Sequence, residues 1–268
     1  MGLFSDPMCF ALIKDIVSDA PLYAQKSFQD TATEFLESMI DLHHDVFGYL
    51  VIISFFVSYI LGQTLYLFWE NAHNRPISDI RHNTQIEIVW TVIPTIVLFF
   101  IAIPSFSLIY AMEELLWPSL TVRAVGSQWF WNYEYGDLYN KLTTWAGPFL
   151  LKFQSNLSPD DVVLEDLGKS TRLLTTDRWF VLPEELQIRL LVTAQDVLHS
   201  WTVPSFGVKI DGCPGRLNQV GLVLKRLGLF YGQCSEICGV NHGFMPIAVK
   251  VLPVTYYLNW LTHGFVNA

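Results

Sequence analysis

Long uncharged stretches dominate the first half of the chain. Residues 46–69 and residues 88–112 contain no Asp, Glu, Lys or Arg. At about 1.5 Å per helical residue the first stretch would reach about 36 Å, which is long enough to cross a bilayer. The second contains Pro94 and Pro104, which membrane helices tolerate where neighbouring groups satisfy the freed carbonyls. The pattern predicts a two-helix transmembrane hairpin within residues 46–112.

Residues 1–45 precede the hairpin and divide into two parts. Residues 28–45 place apolar side chains at helical spacing, which predicts an amphipathic helix that leads into the membrane. Residues 1–20 carry three aspartates and a single lysine, so they lack the features of an export signal or an organelle transit peptide. We expect residues 1–20 to form an arm that lies on the membrane or on a partner.

The pattern changes to short β-branched and aromatic runs near residue 120. Turn residues separate the runs, which is typical of an all-β sandwich, here expected within residues 113–268. Residues 138–178 interrupt the pattern with a long polar insertion, which we expect to be a surface loop. Residues 254–265 predict a short closing helix. The predicted strands are residues 120–125, 128–135, 188–193, 218–224, 228–231 and 246–252.

Composition supports a membrane protein, because 51% of the residues are hydrophobic and only 15% are charged. The formal net charge is −9, yet residues 113–268 carry fourteen acids and twelve bases, so they contribute only −2 of it. Electrostatic docking by this region must therefore rest on a local group of carboxylates. A nucleic-acid partner is not expected from this charge balance.

Soft metal donors are concentrated near the end of the chain. Cys234, Cys238, His242 and Met245 fall within twelve residues, and His199 is the best-placed second imidazole. Thiolate, imidazole and thioether donors suit copper, and two cysteines suffice for two copper ions if both sulfurs bridge. A disulfide between the cysteines would leave the histidine and methionine without a role. A zinc site would not use the methionine, and no second cysteine or histidine pair completes its ligand set.

Three sequence strings extend this pattern: GQCSEICGVNHGFMP, the upstream DVLHSW, and the KIDGCPGR run between them. Together they resemble the family of cytochrome c oxidase subunit 2 and its dinuclear CuA centre, over about residues 22–258. The resemblance implies a cupredoxin-like sandwich behind the hairpin. It implies that both cysteines bridge two coppers, that each histidine binds one copper, and that a weak thioether and a backbone carbonyl complete the site. The implied ligands are His199, Cys234, Glu236 through its carbonyl, Cys238, His242 and Met245.

The resemblance also assigns roles outside the copper ligands. The Glu236 carboxylate would bind a magnesium ion shared with subunit 1. In residues 128–135, alternation puts four aromatic side chains on one strand face, as in an ordinary sandwich core. The resemblance makes one of them, Trp129, the point where an electron enters. It places the docking of a basic cytochrome c at Gln128, Glu134 and Asp196.

Glu87 stands at the mouth of the second uncharged stretch. From the residues alone, the simpler interpretation is an interfacial carboxylate that ends the apolar run. By the resemblance, the matching glutamate is the entrance of a proton path into the partner subunit. The connection between the two stretches contains Arg75 and Arg81, a weak positive-inside signal that puts the β region on the outer side.

The expected function is therefore that of the oxidase subunit that accepts electrons from cytochrome c and passes them to haem in subunit 1, where oxygen is reduced and protons are pumped. Other oxidase subunits and membrane lipid are further expected partners. The expected location is the mitochondrial inner membrane, with the copper domain in the intermembrane space; the alternative is a bacterial plasma membrane. Alternative functions are a membrane-tethered copper chaperone or storage protein, which does not need the aromatic run, and the copper domain of nitrous oxide reductase, which the hairpin and Glu87 disfavour.

Overall fold

The structure is a computed structural model that describes residues 18–69, 81–114, 117–136, 151–158 and 171–263. The chain divides into two compact units. One unit is Ser38–Ala111, and the other combines Met1–Glu37 with Met112–Ala268. The β unit is therefore assembled from chain segments on both sides of the helical unit.

Two long helices, α1 (Glu34–Leu67) and α2 (Thr84–Glu113), confirm the predicted hairpin segments, since both are long and apolar enough to cross a membrane. Helix α1 joins the first span to the predicted lead-in from Glu34 onward, and it ends two residues before the predicted boundary. Residues 28–33, which were also predicted to be helical, are not helical. The Thr33 hydroxyl caps α1 by accepting the N–H of Leu36, and the Asn83 side chain caps α2 in the same way. The connection at residues 70–80, which includes Arg75, lies outside the described residues.

The β unit contains two sheets and a separate hairpin, as the sandwich prediction requires. The strands are β1 (Ser18–Asp19), β2 (Leu120–Ser127), β3 (Phe130–Tyr135), β4 (Leu151–Ser155), β5 (Phe180–Pro183), β6 (Gln187–Ala194), β7 (His199–Val203), β8 (Val208–Gly212), β9 (Asn218–Val223), β10 (Gly228–Gln233) and β11 (Pro246–Leu252). One sheet has the order β1-β10-β11-β5, the other has the order β4-β3-β2-β6-β9, and β7 pairs with β8. The closing helix α3 (Val254–His263) follows β11.

Aromatic side chains fill the core of the β unit. Tyr133 stacks on Phe180 with ring centroids 4.1 Å apart, and Trp201 packs edge-on against Phe180 with ring centroids 6.3 Å apart. The indole N–H of Trp201 donates to the Tyr133 hydroxyl at 3.4 Å. All three side chains are fully buried. This packing joins strands from both sheets and β7, the strand that begins with His199.

The structure corrects the prediction for residues 138–178. Residues 151–155 form the edge strand β4 rather than a loop, because Leu151 and Phe153 alternate with polar residues and reach the core. Residues 137–150 and 159–170 lie outside the described residues. Strands β5, β7 and β8 were not predicted. The first two are buried at nearly every position, so they lack the polar alternation that marks a strand in sequence.

The expected arm at residues 1–20 is also corrected where it is described. Ser18 and Asp19 form β1, which pairs in parallel with Leu229 and Phe230 of β10, and both residues are buried. Ser18 and Asp19 are therefore part of the sheet, not an arm on the membrane or on a partner. Residues 1–17 lie outside the described residues.

Arg226 holds this N-terminal segment on the β unit, and its replacement is expected to loosen it. Its guanidinium donates to the carbonyls of Thr31 and Asp30 at 2.8 and 2.9 Å, pairs with the buried carboxylate of Asp19, and lies 5.1 Å from the ring centre of Phe230. Arg226→Met should lower the free energy of unfolding by about 2–3 kcal/mol, because a buried carboxylate loses its partner. Urea unfolding followed by tryptophan fluorescence measures the change.

Lys225→Met provides the matched control. Lys225 pairs with Glu34 at 2.6 Å, but both side chains are largely exposed, so the pair should contribute less than about 1 kcal/mol. Equal destabilisation by the two variants would contradict the role given to Arg226.

Candidate metal centre

Two chain segments bring the metal donors together. His199 is the first residue of β7, and Cys234 follows the last residue of β10 directly. The N–H of Ser235 donates to the carbonyl of Ser200 at 3.1 Å, which ties the cysteine loop to the histidine strand. As a result the ligand atoms of His199, Cys234 and Cys238 lie within 4.8 Å of one another, and all three residues are buried.

The distances within the cluster fit a site that holds metal between two sulfurs. The Sγ atoms of Cys234 and Cys238 are 4.0 Å apart, whereas a disulfide requires about 2.05 Å, and both cysteines are free. The Nδ1 atom of His199 lies 4.0 Å from Cys234 Sγ, and that of His242 lies 3.6 Å from Cys238 Sγ. Each thiol therefore has an imidazole nitrogen beside it, so the cluster offers two sulfurs and two nitrogens to a pair of metal ions.

Two further donors complete the set. Met245 Sδ lies 3.5 Å from Cys238 Sγ, and the carbonyl oxygen of Glu236 lies 3.4 Å from Cys234 Sγ. The cluster thus offers two thiols, two imidazoles, one thioether and one carbonyl. Copper is the metal that this soft set suits, since zinc sites close on four cysteine or histidine ligands without a thioether.

The two thiols have different acidities in the metal-free protein. Burial would raise the pKa of Cys234, but hydrogen bonding, led by His199, lowers that pKa to about 6. The pKa of Cys238 rises to about 12, first because the thiol is buried and then because the Cys234 thiolate lies beside it. At neutral pH one thiolate and one thiol therefore face each other, and metal binding at both sulfurs must release the Cys238 proton.

The difference between the pKa values of the two thiols predicts that Cys234 ionises at a lower pH than an ordinary cysteine. In metal-free protein the ultraviolet absorbance of thiolate should increase as the pH rises through about 6, well below the ordinary pKa of 9.0, because Cys234 ionises there. The lowered pKa of Cys234 stabilises the folded state at pH values above the ordinary thiol pKa of 9.0. This stabilisation is lost as the pH falls through about 6. Cys234→Ser should remove this step. A step near 6 that persists in the variant would assign it to another group.

A shell of residues around His199 orients its ring. The Nε2 atom lies 2.9 Å from Asp196 Oδ1, so that Nδ1 is left for metal. Asp196 also accepts the backbone N–H groups of Gln128 and Val197, each at 2.7 Å. Burial alone would raise the pKa of Asp196, but these hydrogen bonds, with that of His199 the largest, hold it below its ordinary value. The indole of Trp131 packs edge-on against the imidazole at 6.0 Å.

The residues predicted to dock cytochrome c or to receive its electron have different environments. Gln128, Trp129 and Asp196 lie beside the metal donors, and Glu134 lies on β3. Gln128 and Trp129 form the turn between β2 and β3, so Trp129 is half-buried beside the metal loop and is not on the strand face where alternation had placed it. The Gln128 side chain donates to the Cys238 carbonyl at 2.9 Å. Asp196 joins the same group through its bonds to His199 and Gln128.

Glu134 has a different environment. Its carboxylate is buried on β3 between two cations: it pairs with Arg123 of β2, and Lys152 of β4 lies 2.8 Å away. Burial acts to raise the pKa of Glu134, but the two cations lower it below its ordinary value. The carboxylate is neutralised within the sheet, so it offers little free charge to a docking partner.

Glu87 lies in the first turn of α2, apart from the sulfur cluster in the chain. Its carboxylate is half-exposed and 3.5 Å from Nδ1 of His82. A carboxylate in the first turn is favoured by the helix dipole, which fits an interfacial position.

Sequence reasoning missed Gly126, which the histidine requires. A Cβ atom at this position of β2 would lie 2.8 Å from three atoms of the His199 side chain, so only glycine leaves space for the ring. A glycine inside a strand is the signal that could have indicated a close approach.

Comparison with known proteins gives a consistent result. Residues 120–252 match the family described as cytochrome C oxidase subunit II, periplasmic domain, and residues 21–108 match the family described as cytochrome C oxidase subunit II, transmembrane domain. The chain is 45% identical over 253 residues to cytochrome c oxidase subunit 2 of Cyanidium caldarium, covering 94% of this chain and 95% of the relative. It is 45% identical over 257 residues to the mitochondrial cytochrome c oxidase subunit 2 of Vigna unguiculata, covering 96% of this chain and 66% of the relative.

A solved structure is among those similar to this chain. It is the periplasmic domain of subunit II of the cytochrome oxidase of Bradyrhizobium japonicum, with 38% sequence identity and a TM-score of 0.47, covering 56% of this chain and 95% of that chain.

Proposed function

This chain belongs to the cytochrome c oxidase subunit II family, and from that premise we propose that its sulfur cluster holds the copper pair through which electrons enter the oxidase. The chain is a subunit of a respiratory oxidoreductase, it binds copper, and its partners are other oxidase subunits. It spans the mitochondrial inner membrane twice, with the β unit on the outer side. The single observation that supports the copper pair best is the arrangement of two free thiols, each facing its own imidazole.

Six donors would hold the copper pair. They are the thiolates of Cys234 and Cys238, the imidazoles of His199 and His242, the Met245 thioether and the Glu236 carbonyl. Copper at this site would supply one-electron redox chemistry, with the electron shared through the bridging sulfurs. The protein's part is to keep the donors in place. Burial of both thiols and the fixed ring of His199 exclude water and resist movement when the charge changes.

Trp129 is the proposed point at which the electron enters from cytochrome c. Its support is the position of the turn beside the metal loop, where the partly exposed indole lies against Gly239. Asp196 and Gln128 flank this position on the surface and are the proposed docking residues. Glu134 is proposed to contribute to docking only indirectly, by joining strands β2, β3 and β4. Its own charge is neutralised by Arg123 and Lys152.

Two further sites belong to the proposal. The Glu236 carbonyl faces Cys234 Sγ, so its carboxylate can serve a separate ion, proposed to be the magnesium shared with subunit 1. Glu87 is proposed to receive protons at the entrance of a path into the partner subunit, supported by its half-exposed carboxylate at the end of an apolar helix. The apolar faces of α1 and α2 are proposed to contact membrane lipid.

Copper analysis and electron paramagnetic resonance of the oxidised oxidase test the proposal. We expect two copper ions per chain at this site and a hyperfine pattern from one electron shared by two equivalent copper nuclei. A single copper with a localised pattern, or copper that reduced cytochrome c cannot reduce, would favour a chaperone or storage protein instead.

A further inference from the structure

Gln128 connects three parts of the site. Its backbone N–H donates to Asp196 Oδ2 at 2.7 Å, and its side-chain Nε2 donates to the carbonyl of Cys238 at 2.9 Å. Asp196 holds His199 from the other carboxylate oxygen. The turn that carries Trp129 is therefore fastened at two points, one on each of the segments that supply metal ligands.

The indole of Trp129 lies over Gly239. A Cβ atom on Gly239 would lie 3.3 Å from the Trp129 ring atoms Cζ2 and Nε1, and equally 3.3 Å from Gln128 Nε2. Gly239 has a φ of +123°, a backbone conformation that residues other than glycine rarely adopt. The ring and the amide thus occupy the space that a side chain at this position would fill.

The Trp129 ring has no polar contact of its own that fixes it. Its Nε1 atom is buried and has no hydrogen-bond partner among the described residues. A buried indole N–H usually finds a partner, so the orientation of this ring must come from its neighbours. Two neighbours determine the orientation of the ring. One is Gln128, which is hydrogen-bonded at its backbone and its side chain, and the other is the Cys238–Gly239 peptide, which has no side chain at Gly239.

We propose that Gln128, besides its proposed docking contact, is a positioning residue that holds the Trp129 indole against the metal loop. This inference rests on the proposed function, because it concerns the residue through which the electron enters. The amide fixes the distance between the indole and the Cys238 peptide, and therefore the rate at which an electron crosses from a docked donor. Gly239 contributes to the same positioning, because its lack of a side chain lets the indole and the Gln128 amide approach the peptide.

The two roles differ in what they change. A docking contact alters the apparent affinity for cytochrome c, so its loss raises KM and acts whether or not the tryptophan is present. A positioning residue alters the electron-transfer rate within the complex, so its loss lowers kcat with KM little changed. Its effect must also disappear once Trp129 is replaced, because nothing is then left to position.

A double-mutant cycle in the complete purified oxidase tests the proposal. Gln128→Leu, Trp129→Phe and the double variant are mixed with reduced cytochrome c, and reduction of the copper centre is followed by stopped flow at two ionic strengths. We expect Gln128→Leu to lower the limiting rate by roughly two- to tenfold, because an indole that is held less closely lengthens the path from the donor to the metal loop. The same substitution should have no further effect in the Trp129→Phe background. Gly239→Ala should lower the limiting rate in the same direction.

Gln219→Leu is the matched control, since Gln219 is exposed on β9 and remote in sequence from the turn. It should leave rate and KM unchanged. An equal effect of Gln128→Leu in both tryptophan backgrounds, or a change confined to KM, would overturn the positioning role. Loss of copper from Gln128→Leu, measured by metal analysis and resonance spectra, would also overturn it and assign the amide to the stability of the metal loop.

The experiment separates this inference from the proposed function. If wild-type oxidase shows no reduction of the copper centre by cytochrome c, the proposed function fails. If wild-type protein is reduced and Gln128→Leu behaves identically, only the positioning role fails.

Discussion

Replacing Cys238 with serine is expected to abolish the shared copper signal and the electron transfer that depends on it. Cys238 Sγ lies within 3.5–4.0 Å of three other donors, those of Met245, His242 and Cys234, so it is the atom around which the cluster is arranged. A serine hydroxyl is a hard donor that keeps its proton at neutral pH and cannot replace a bridging thiolate for copper. Loss of an outer hydrogen-bond partner already costs about 10–100-fold in metal affinity, and loss of a bridging ligand should cost more.

Three measurements check this expectation: copper content, the resonance spectrum of the oxidised protein, and the rate of cytochrome c oxidation. Cys213→Ser is the control, because Cys213 is a free, half-buried cysteine outside the metal loop. It should retain both copper ions and the shared hyperfine pattern. If Cys238→Ser retained that pattern as well, the two sulfurs would not bridge the metals.

Replacing Gly126 with alanine is the second substitution with a large expected effect. The new methyl group would lie 2.8 Å from Cβ, Cγ and Cδ2 of His199, closer than real Cβ contacts come. The imidazole has nowhere to move, since it is fully buried, packs against Trp131 and is held by Asp196. We expect the histidine to be displaced from the cluster. Overpacking should cost about 1–3 kcal/mol of stability, and copper affinity should fall by at least about tenfold.

Copper titration and urea unfolding measure the two effects separately. Gly136→Ala is the matched control, because the nearest atom to its Cβ would be the Thr121 carbonyl oxygen at 3.9 Å, an ordinary contact. It should leave copper affinity unchanged. Normal copper binding by Gly126→Ala would show that the His199 ring can move and still reach the metal.

The sequence predicted the membrane segments and the closeness of the sulfur and imidazole groups well, for physical reasons that act locally. An uncharged run longer than a bilayer is thick leaves few alternatives, and α1 and α2 cover both predicted runs except for the last two residues of the first. Donors within one twelve-residue loop must lie close together whatever the fold, so Cys234, Cys238, His242 and Met245 could be grouped from spacing alone.

Strand prediction was weaker where both faces of a strand are buried. β5 and β7 carry almost no polar alternation, so periodicity could not reveal them. β4 was hidden within a polar segment, although Leu151 and Phe153 alternate as an edge strand should. The assignment of Trp129 to a strand was wrong although the alternation around it is clear. An aromatic residue at the end of an alternating run can also lie in the turn that precedes the strand.

The sequence by itself determined that this chain is a membrane hairpin followed by a copper-binding β domain, because hydrophobic length and ligand chemistry are properties of short segments. Only the tertiary structure decided how distant segments meet. It placed His199 opposite Cys234, β1 beside β10, and Gln128 on the Cys238 carbonyl. It also showed that the Glu134 carboxylate is neutralised by two neighbouring strands. Such contacts join residues far apart in the chain, and their geometry follows from strand pairing and core packing, which local spacing does not encode.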